Sequence, residues 1–164
     1  MSLDPLNMAG RSKVTNGGLL DRFKVSGVGT QPEEIQRWLK SDFAGYLLRH
    51  ERRLLRDKFP AFPGYRMLRL GLSEDIETLD CFDQIHRFSL HPAEIDGSHA
   101  ALANYADLPL GSETIDAMLL HHAIEFSVSP KAVLAEASRV IVPGGNILLC
   151  LFNPYGPMGL LKYP

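Results

Sequence analysis

Residues 106–151 decide the fold of this chain, and they read ADLPLGSETIDAMLLHHAIEFSVSPKAVLAEASRVIVPGGNILLCL. The apolar run at 115–120 starts just after turn-type residues, which predicts a strand buried on both faces. Pro130 suits the first position of a helix, with Ser129 before it as the cap. Apolar residues then recur at helical spacing, at Val133, Leu134, Ala137, Val140 and Ile141.

A turn and a second strand are predicted to follow this helix. Proline cannot continue a helix and glycine tolerates positive φ, so Pro143-Gly144-Gly145 is expected to stop the helix and turn the chain. Residues 146–151, NILLCL, then predict a second buried strand. Strand, helix and strand make a βαβ unit, whose crossover is expected to be right-handed.

The residues of this unit resemble those of a known family. Four segments carry the likeness to class I S-adenosylmethionine-dependent methyltransferases: Asp107-Leu108-Pro109-Leu110, Ile115-Asp116, Leu119-Leu120-His121 and EASRVIVPGG at 136–145. Their order and spacing resemble those of the family's fourth and fifth strands. The resemblance covers roughly residues 36–160 and is strongest over 101–151.

The resemblance implies an α/β fold, namely a three-layer Rossmann-like methyltransferase sandwich. Its sheet is expected to be mostly parallel, with the strand order 3-2-1-4-5. The first three strands are expected at 65–70, 85–90 and 101–105, with a short helix or helical turn at 76–83.

The chain is divided into an arm and one domain. Residues 1–29 are rich in glycine, serine and asparagine, which predicts a mobile N-terminal arm. Residues 30–164 are expected to form the methyltransferase-like domain, with an N-terminal helical lid at 30–58 and an α/β core at 65–152. The family adds strands six and seven after the fifth, so the fold is expected to be C-terminally incomplete.

Composition predicts a globular protein of the cytoplasm. The chain has 164 residues, is 45% hydrophobic and 22% charged, and has a formal net charge of −2. No apolar run approaches the roughly 20 residues that span a bilayer, so no membrane association is expected. Cys81 and Cys150 have neither metal-site nor redox-motif spacing, and Cys150 is expected to be a small hydrophobe in a buried strand.

The cofactor residues of the family are matched only in part. Gly71 stands at the first glycine of the family's loop, whereas Ser73 and Asp75 stand where the second and third glycines belong. Arg69 stands where the family usually has a carboxylate, and Ser89 stands at the position of the acidic residue that binds the ribose. A neutral hydroxyl cannot replace a charge-assisted pair of hydrogen bonds, so the resemblance implies weakened or lost S-adenosylmethionine binding.

Three further residues are expected at the cofactor by resemblance. Asp107 matches the residue that binds the adenine amino group, and the backbone N–H of Leu108 matches the donor to the adenine ring. Asp107 could instead be a loop-capping carboxylate. His121 matches a histidine that faces the cofactor crevice after strand four. A metal site at His121-His122-Ala123-Ile124-Glu125 is not expected, because no third ligand is evident.

The leading function is a methyltransferase that uses S-adenosylmethionine, and no catalytic base can be named. The alternative is a non-catalytic pseudo-methyltransferase that acts as a binding domain. The methyl acceptor is a small molecule or a macromolecule that the sequence does not identify. Basic residues at 49–58 could touch nucleic acid, but interleaved Glu51 and Asp57 favour a solvated helix face. We also expect Trp38 and Tyr46 to pack near the crevice, and a homodimer to form through the edge of strand five or the surface beside it.

Overall fold

A five-stranded parallel sheet forms the centre of the part of the chain that the structure describes. The computed structural model describes residues 37–59, 61–73, 76–92, 101–153 and 155. The predicted arm at 1–29 and Asp75 lie outside these residues. The strands are β1 Arg66–Gly71, β2 His86–His91, β3 Ala101–Leu102, β4 Ile115–His121 and β5 Ile141–Cys150. They lie in the order β3-β2-β1-β4-β5, and every pair is parallel, which confirms the predicted topology.

Helices cover both faces of this sheet. Side chains alternate along β1 and β4, so each strand contributes to two apolar clusters. One cluster lies between the sheet and helix α2, Pro130–Val140, and contains Leu68, Leu70, Met118, Leu120, Val133 and Ala137. The other lies beneath helix α1, Asp42–Lys58, and the 3-10 helix Ile76–Cys81, and contains Leu55, Met67, Leu79, Phe82, Ala117 and Leu119. The result is a three-layer sandwich.

Helix α1 has Ser41 as its N-cap residue. The Ser41 side chain accepts a hydrogen bond from the Ala44 backbone N–H at 3.2 Å, which satisfies one of the free donors of the first turn. Only Ala44 and Leu55 of this helix are buried. Arg49, Arg53 and Lys58 are exposed, which both the predicted solvated face and a contact with nucleic acid require.

Helix α2 and strand β5 meet earlier than the sequence predicted. The helix ends at Val140 and β5 begins at Ile141, so Pro143-Gly144-Gly145 lies inside the strand and is not a turn between the two elements. The β-branched run 140–142 and the proline after it favour extended backbone, which explains the early exit from the helix. The glycines form an irregularity in the register, because Ile115 pairs with Ile141 but Ala117 pairs with Asn146.

Strand β5 is at the edge of the described sheet and is only half buried. Ile147 is 38% exposed and Leu149 is 47% exposed, so the prediction of a buried strand at 146–151 is wrong for these side chains. Edge strands offer unpaired backbone groups to other chains. The dimer through this edge therefore stays a prediction. Within the described ranges, every helix is too short or too polar to cross a bilayer.

Gly64 provides a test of the loop before β1. Its φ is +117°, and an added Cβ would lie 2.2 Å from the Cβ of Asp116. The Asp116 carboxylate accepts hydrogen bonds from the backbone N–H groups of Tyr65 and Arg66 at 3.1 and 2.8 Å. We expect Gly64→Ala to lower the free energy of unfolding by about 2 kcal/mol in urea denaturation.

Gly144→Ala is the matched control for this change. Gly144 also has a positive φ, +81°, but an added Cβ would meet nothing within 4 Å. Gly144→Ala should therefore lower the free energy of unfolding only by the cost of a positive φ, about 1 kcal/mol. Equal losses in the two variants would show that the close approach to Asp116 contributes nothing.

Candidate functional site

Two of the predicted site residues meet at the carboxyl ends of β1 and β4. The chain continues from β1 to β2 on one side and later returns to β4 on the other side. Ligands of open parallel sheets bind at the carboxyl ends of the strands where the order reverses in this way. Gly71 ends β1, His121 ends β4, and these two residues are paired in the register.

A buried tyrosine that the sequence did not indicate holds the end of β1. The Tyr105 hydroxyl accepts from the Gly71 N–H at 3.1 Å, and it lies 2.8 Å from the Gly71 carbonyl oxygen and 3.0 Å from that of Leu90. The hydroxyl proton can donate to either carbonyl. Tyr105 therefore joins the ends of β1 and β2 next to the predicted cofactor loop.

Arg69 is folded into the loop that follows β1. The side chain is 1% exposed, and it donates from Nη1 to the Ser73 carbonyl oxygen at 2.6 Å. Its Nη2 lies 3.4 Å from the Ser73 hydroxyl and 3.2 Å from His121 Nδ1. A Cβ on Gly71 would lie 2.7 Å from the guanidinium carbon, so any larger residue here would force the Arg69 side chain to shift. Glycine here accommodates a side chain of the protein itself.

Ser89 lies farther from the strand end than the sequence predicted. β2 continues to His91, so Ser89 is level with Arg69 in the register and stands two residues before the end. His91, the last residue of β2, is buried, and its Nε2 is 3.3 Å from the Leu72 carbonyl oxygen. The predicted ribose position is thus not at the edge of the sheet.

Asp107 and Leu108 have different surroundings. Asp107 is exposed in the loop after β3, where its N–H donates to the Asn104 carbonyl at 3.0 Å. The Leu108 N–H donates to the Glu136 carboxylate at 2.8 Å, and Arg139 binds both that carboxylate and the Leu108 carbonyl oxygen. In this arrangement the Leu108 N–H is a structural link to α2, and it is not available to an adenine ring.

A cluster of polar side chains lies beside Arg69, between the sheet and α1. Glu51 of α1 accepts from two histidines: Oε2 is 3.0 Å from His121 Nε2 and Oε1 is 3.1 Å from His122 Nε2. Cys150 of β5 lies 4.0 Å from His122 Nε2. We call Glu51, His121, His122 and Cys150 the polar cluster. Both histidines are buried, so the cluster is largely shielded from water.

An unusual backbone conformation brings both histidines to the same carboxylate. Consecutive side chains of a regular strand point to opposite faces. β4 ends at His121, and His122 has a φ of 56°, in the left-handed region that few residues other than glycine adopt. This change of direction turns both imidazoles toward Glu51. Left-handed residues cost about 1–3 kcal/mol and concentrate at functional sites.

Two groups of the polar cluster have strongly shifted pKa values. Burial opposes the charge on Glu51, but hydrogen bonds from His121 and His122 outweigh it and lower the pKa of the carboxyl to about 2. Burial also opposes the charge on His122, but hydrogen bonds with Cys150, Glu125 and Glu51 raise the pKa of the imidazole to about 11. At neutral pH, Glu51 is therefore a carboxylate and His122 an imidazolium. Neither group is suited to exchange protons near neutrality.

The thiol of Cys150 is affected by the same neighbours. Burial raises its pKa, and hydrogen bonding with His121 and then His122 outweighs burial, so the net shift of the thiol pKa is downward. Thiolates are the form that binds metals and attacks electrophiles. Cys150 also packs against the apolar cluster beneath α1, as expected of a small hydrophobe, so its thiol has both apolar and polar neighbours.

The segment after β5 encloses the cluster on another side. The Phe152 ring stacks on His122 with centroids 3.9 Å apart, and the Phe152 N–H donates to Glu125. Trp38 meets the edge of Phe152 at 6.1 Å, whereas Tyr46 is exposed and stacks on His50. Of the two aromatic residues expected near the crevice, only Trp38 lies beside the cluster.

The sheet order and the glycine at the strand reversal define a Rossmann-like methyltransferase fold. Residues 73–149 match the family model described as a methyltransferase domain. The matched stretch is somewhat less than half of the chain, and over it the sequence is similar to this methyltransferase domain.

Solved structures share this fold at low sequence identity. One is a chain of the complex between the Haloferax volcanii Trm112 methyltransferase activator and a putative methyltransferase, with a TM-score of 0.55 and 20% identity. The match covers 71% of this chain and 59% of that one. Another is an S-adenosylmethionine-dependent methyltransferase from Thermotoga maritima, described as a possible histamine N-methyltransferase. Its TM-score is 0.52 at 20% identity, over 73% of this chain and 64% of that one.

Curated relatives are similar over part of their length. Uncharacterized protein YafS of Escherichia coli is 29% identical over 114 residues, which are 67% of this chain and 45% of YafS. Uncharacterized protein MJ1123 of Methanocaldococcus jannaschii is 37% identical over 61 residues, which are 37% of this chain and 30% of that protein. The chain thus spans less than half the length of either relative.

Proposed function

We propose that this chain is the cofactor domain of an S-adenosylmethionine-dependent methyltransferase. The observation that carries the proposal is the parallel sheet in the order 3-2-1-4-5, with Gly71 and His121 side by side at the reversal. In such sheets the ligand lies across the carboxyl ends of the central strands. The protein's task would be to hold the methyl donor and the acceptor in line, since proximity supplies much of the rate of such transfers.

The residues at the two ends of the crevice fit the cofactor unequally. At the adenine end, the Asp107 carboxylate is exposed and can accept from the adenine amino group. At the methionine end, the Arg69 guanidinium lies against Gly71 and is bonded to Ser73. The cofactor carries a sulfonium and an ammonium there, so a cationic side chain at this place opposes binding. The Leu108 N–H would have to be released from Glu136, and Ser89 offers only a neutral hydroxyl two residues before the end of β2.

This arrangement also supports a second candidate function. An arginine that fills the loop after β1 favours a non-catalytic domain that keeps the fold but no longer turns over the cofactor. Such a domain would act by binding a partner. The two functions differ in whether any measurable cofactor affinity remains.

Titration with S-adenosylmethionine tests the proposal. We expect weak binding, at least two orders of magnitude below that of ordinary family members, measured by calorimetry and by the fluorescence of Trp38, the only tryptophan of the chain. Asp107→Asn should weaken binding a further ~10-fold or more, because a charge-assisted hydrogen bond is worth roughly 1.5–3 kcal/mol. Glu113→Gln changes an exposed carboxylate farther along the same loop, so it is the matched control and should leave binding unchanged.

Three outcomes separate the candidates. Weak binding that depends on Asp107 supports the methyltransferase. A low-micromolar dissociation constant in the unmodified chain would show that Arg69 does not oppose the cofactor. If neither the unmodified chain nor an Arg69 variant binds the cofactor or its demethylated product detectably, the result supports the non-catalytic domain and contradicts the methyltransferase.

A further inference from the structure

We propose that Glu51, His122 and Cys150 form a Zn²⁺ site at the carboxyl ends of β4 and β5. Each offers one ligand atom, and together with that of His121 these atoms lie within 4.8 Å of one another. A tetrahedral zinc site with ordinary bond lengths separates its ligand atoms by roughly 3.3–3.7 Å. Glu51 Oε1 and His122 Nε2 are 3.1 Å apart, and His122 Nε2 and Cys150 Sγ are 4.0 Å apart. These two separations differ from the tetrahedral values by a few tenths of an ångström.

The mixture of ligand types favours zinc over other common cations. Magnesium and calcium prefer oxygen ligands throughout, whereas zinc binds carboxylate oxygen, imidazole nitrogen and thiolate sulfur together. The three residues come from α1, from the residue after β4 and from β5. They converge at a shielded place, since His122 is 2% exposed. A bound zinc would tie these three elements to one another.

His121 is assigned to an outer role by its hydrogen bonds. Arg69 can only donate, and its Nη2 lies 3.2 Å from His121 Nδ1, so this nitrogen must accept. A neutral imidazole then carries its proton on Nε2, which faces Glu51 Oε2 at 3.0 Å. A protonated nitrogen cannot bind a metal. His121 therefore donates to Glu51 Oε2 and leaves Oε1 for the zinc.

The second ligand is oriented in the same way. His122 Nδ1 lies 3.1 Å from the Glu125 carboxylate, which fixes the ring and directs Nε2 into the site. Metal-binding histidines usually donate their other N–H to a carboxylate or carbonyl in this manner. Two of the ligands are oriented by neighbours that do not bind the metal: His121 hydrogen-bonds to Glu51, and Glu125 hydrogen-bonds to His122. The site thus has three protein ligands, and its fourth position stays open. That number of ligands is typical of catalytic zinc rather than of structural zinc.

The charges around the site suit a dication. Zinc with thiolate Cys150, the carboxylates of Glu51 and Glu125, and the guanidinium of Arg69 sums to a formal charge of zero. Zinc replaces two protons, one between His122 and Glu51 and one on the thiol, so binding releases both to solvent. A buried site with balanced charge avoids the desolvation cost of an unpaired ion.

Metal titration of the chelator-treated full chain tests this site. Zinc affinity is measured by competition with a chromophoric chelator, and cobalt is used as a coloured substitute. We expect a thiolate-to-cobalt charge-transfer band in the unmodified chain and its loss in Cys150→Ser. Zinc binding should weaken at least 50-fold in Cys150→Ser and in His122→Gln, and about 10-fold in His121→Gln, as for an outer partner.

Matched variants keep the test decisive. Cys81→Ser removes the other free thiol and His86→Gln removes an exposed histidine, and both should bind zinc as the unmodified chain does. Absence of the charge-transfer band from the unmodified chain would overturn the site, whether or not any variant folds. So would a band that persists in Cys150→Ser. An equal loss of affinity in His121→Gln and His122→Gln would overturn the outer role of His121.

Discussion

Replacing Glu51 by alanine is expected to lower the free energy of unfolding by about 3 kcal/mol in metal-free protein. The carboxylate is the common acceptor for His121 and His122, and both imidazoles are buried. Removing one member of a buried, hydrogen-bonded pair leaves the other charge uncompensated, which typically costs about 3–5 kcal/mol. Glu125 still faces His122, so the lower end of that range is expected. The measurement is urea denaturation with a chelator present.

Glu77→Ala is the control for this variant. Glu77 pairs with Arg52, which lies next to Glu51 on α1, but the Glu77 side chain is 73% exposed. Exposed pairs contribute at most about 1 kcal/mol, because water screens them. A loss below 1 kcal/mol in Glu51→Ala, comparable to that of the control, would show that the cluster does not stabilise the fold.

The advantage of the unmodified chain over Glu51→Ala should also depend on pH. The folded pKa of Glu51 is lowered from 4.5 to about 2, so its contribution is present above pH 4.5 and is lost as the pH falls toward 2. The folded pKa of His122 is raised from 6.5 to about 11, so its contribution is complete below pH 6.5 and is lost as the pH rises toward 11. The difference between the two proteins should therefore be largest between pH 4.5 and 6.5.

Replacing Arg69 by glutamine is expected to raise the affinity for S-adenosylmethionine by about 100-fold. The guanidinium lies against Gly71, where the charged end of the cofactor would approach. Two positive charges about 5 Å apart repel by roughly 3 kcal/mol at an effective dielectric of about 20. That energy corresponds to about a 100-fold change in the dissociation constant. Calorimetric titration of both proteins, with folding checked by circular dichroism, measures the effect.

A neutral ligand separates charge from shape in this comparison. 5′-Methylthioadenosine keeps the adenosine but lacks the charged amino-acid end, so its affinity should be nearly the same in both proteins. Arg87→Gln changes an exposed arginine of β2 and should leave both ligands unaffected. If Arg69→Gln binds S-adenosylmethionine more weakly than the unmodified chain, the arginine holds the cofactor's carboxylate and does not repel the cofactor.

The sequence predicts the sheet well because the sheet depends on local patterns. The run at 115–120 and the pair Ser129-Pro130 mark the strand and helix starts that the structure shows. The end of α2 was predicted too late. Val140, Ile141 and Val142 are compatible with both helical spacing and extended backbone, and the proline that follows decides for the strand. Such runs are ambiguous by periodicity alone.

The polar cluster could not be predicted from local patterns. Glu51 is 70 residues from His121 in sequence and lies among basic residues, where a solvated face is the ordinary interpretation. Cys150 belongs to an apolar run. Only the packing of α1 on the sheet and the left-handed backbone at His122 bring the four side chains together. The adjacent pair His121-His122 at the end of a predicted strand was the available signal.

Helix α1 is attached to the sheet through charged groups as well as through the apolar cluster that contains Leu55. An attachment of this kind has an unusual consequence for local unfolding. When α1 detaches, Glu51 and the histidines gain water as they lose one another, and the apolar cluster between the sheet and α2 stays covered. Hydrogen exchange would then show two cooperative units of different stability, with α1 as the earlier one to open. Acidity, salt and dissolved metal ions would each change how often that unit is open, while the sheet beneath it stays intact.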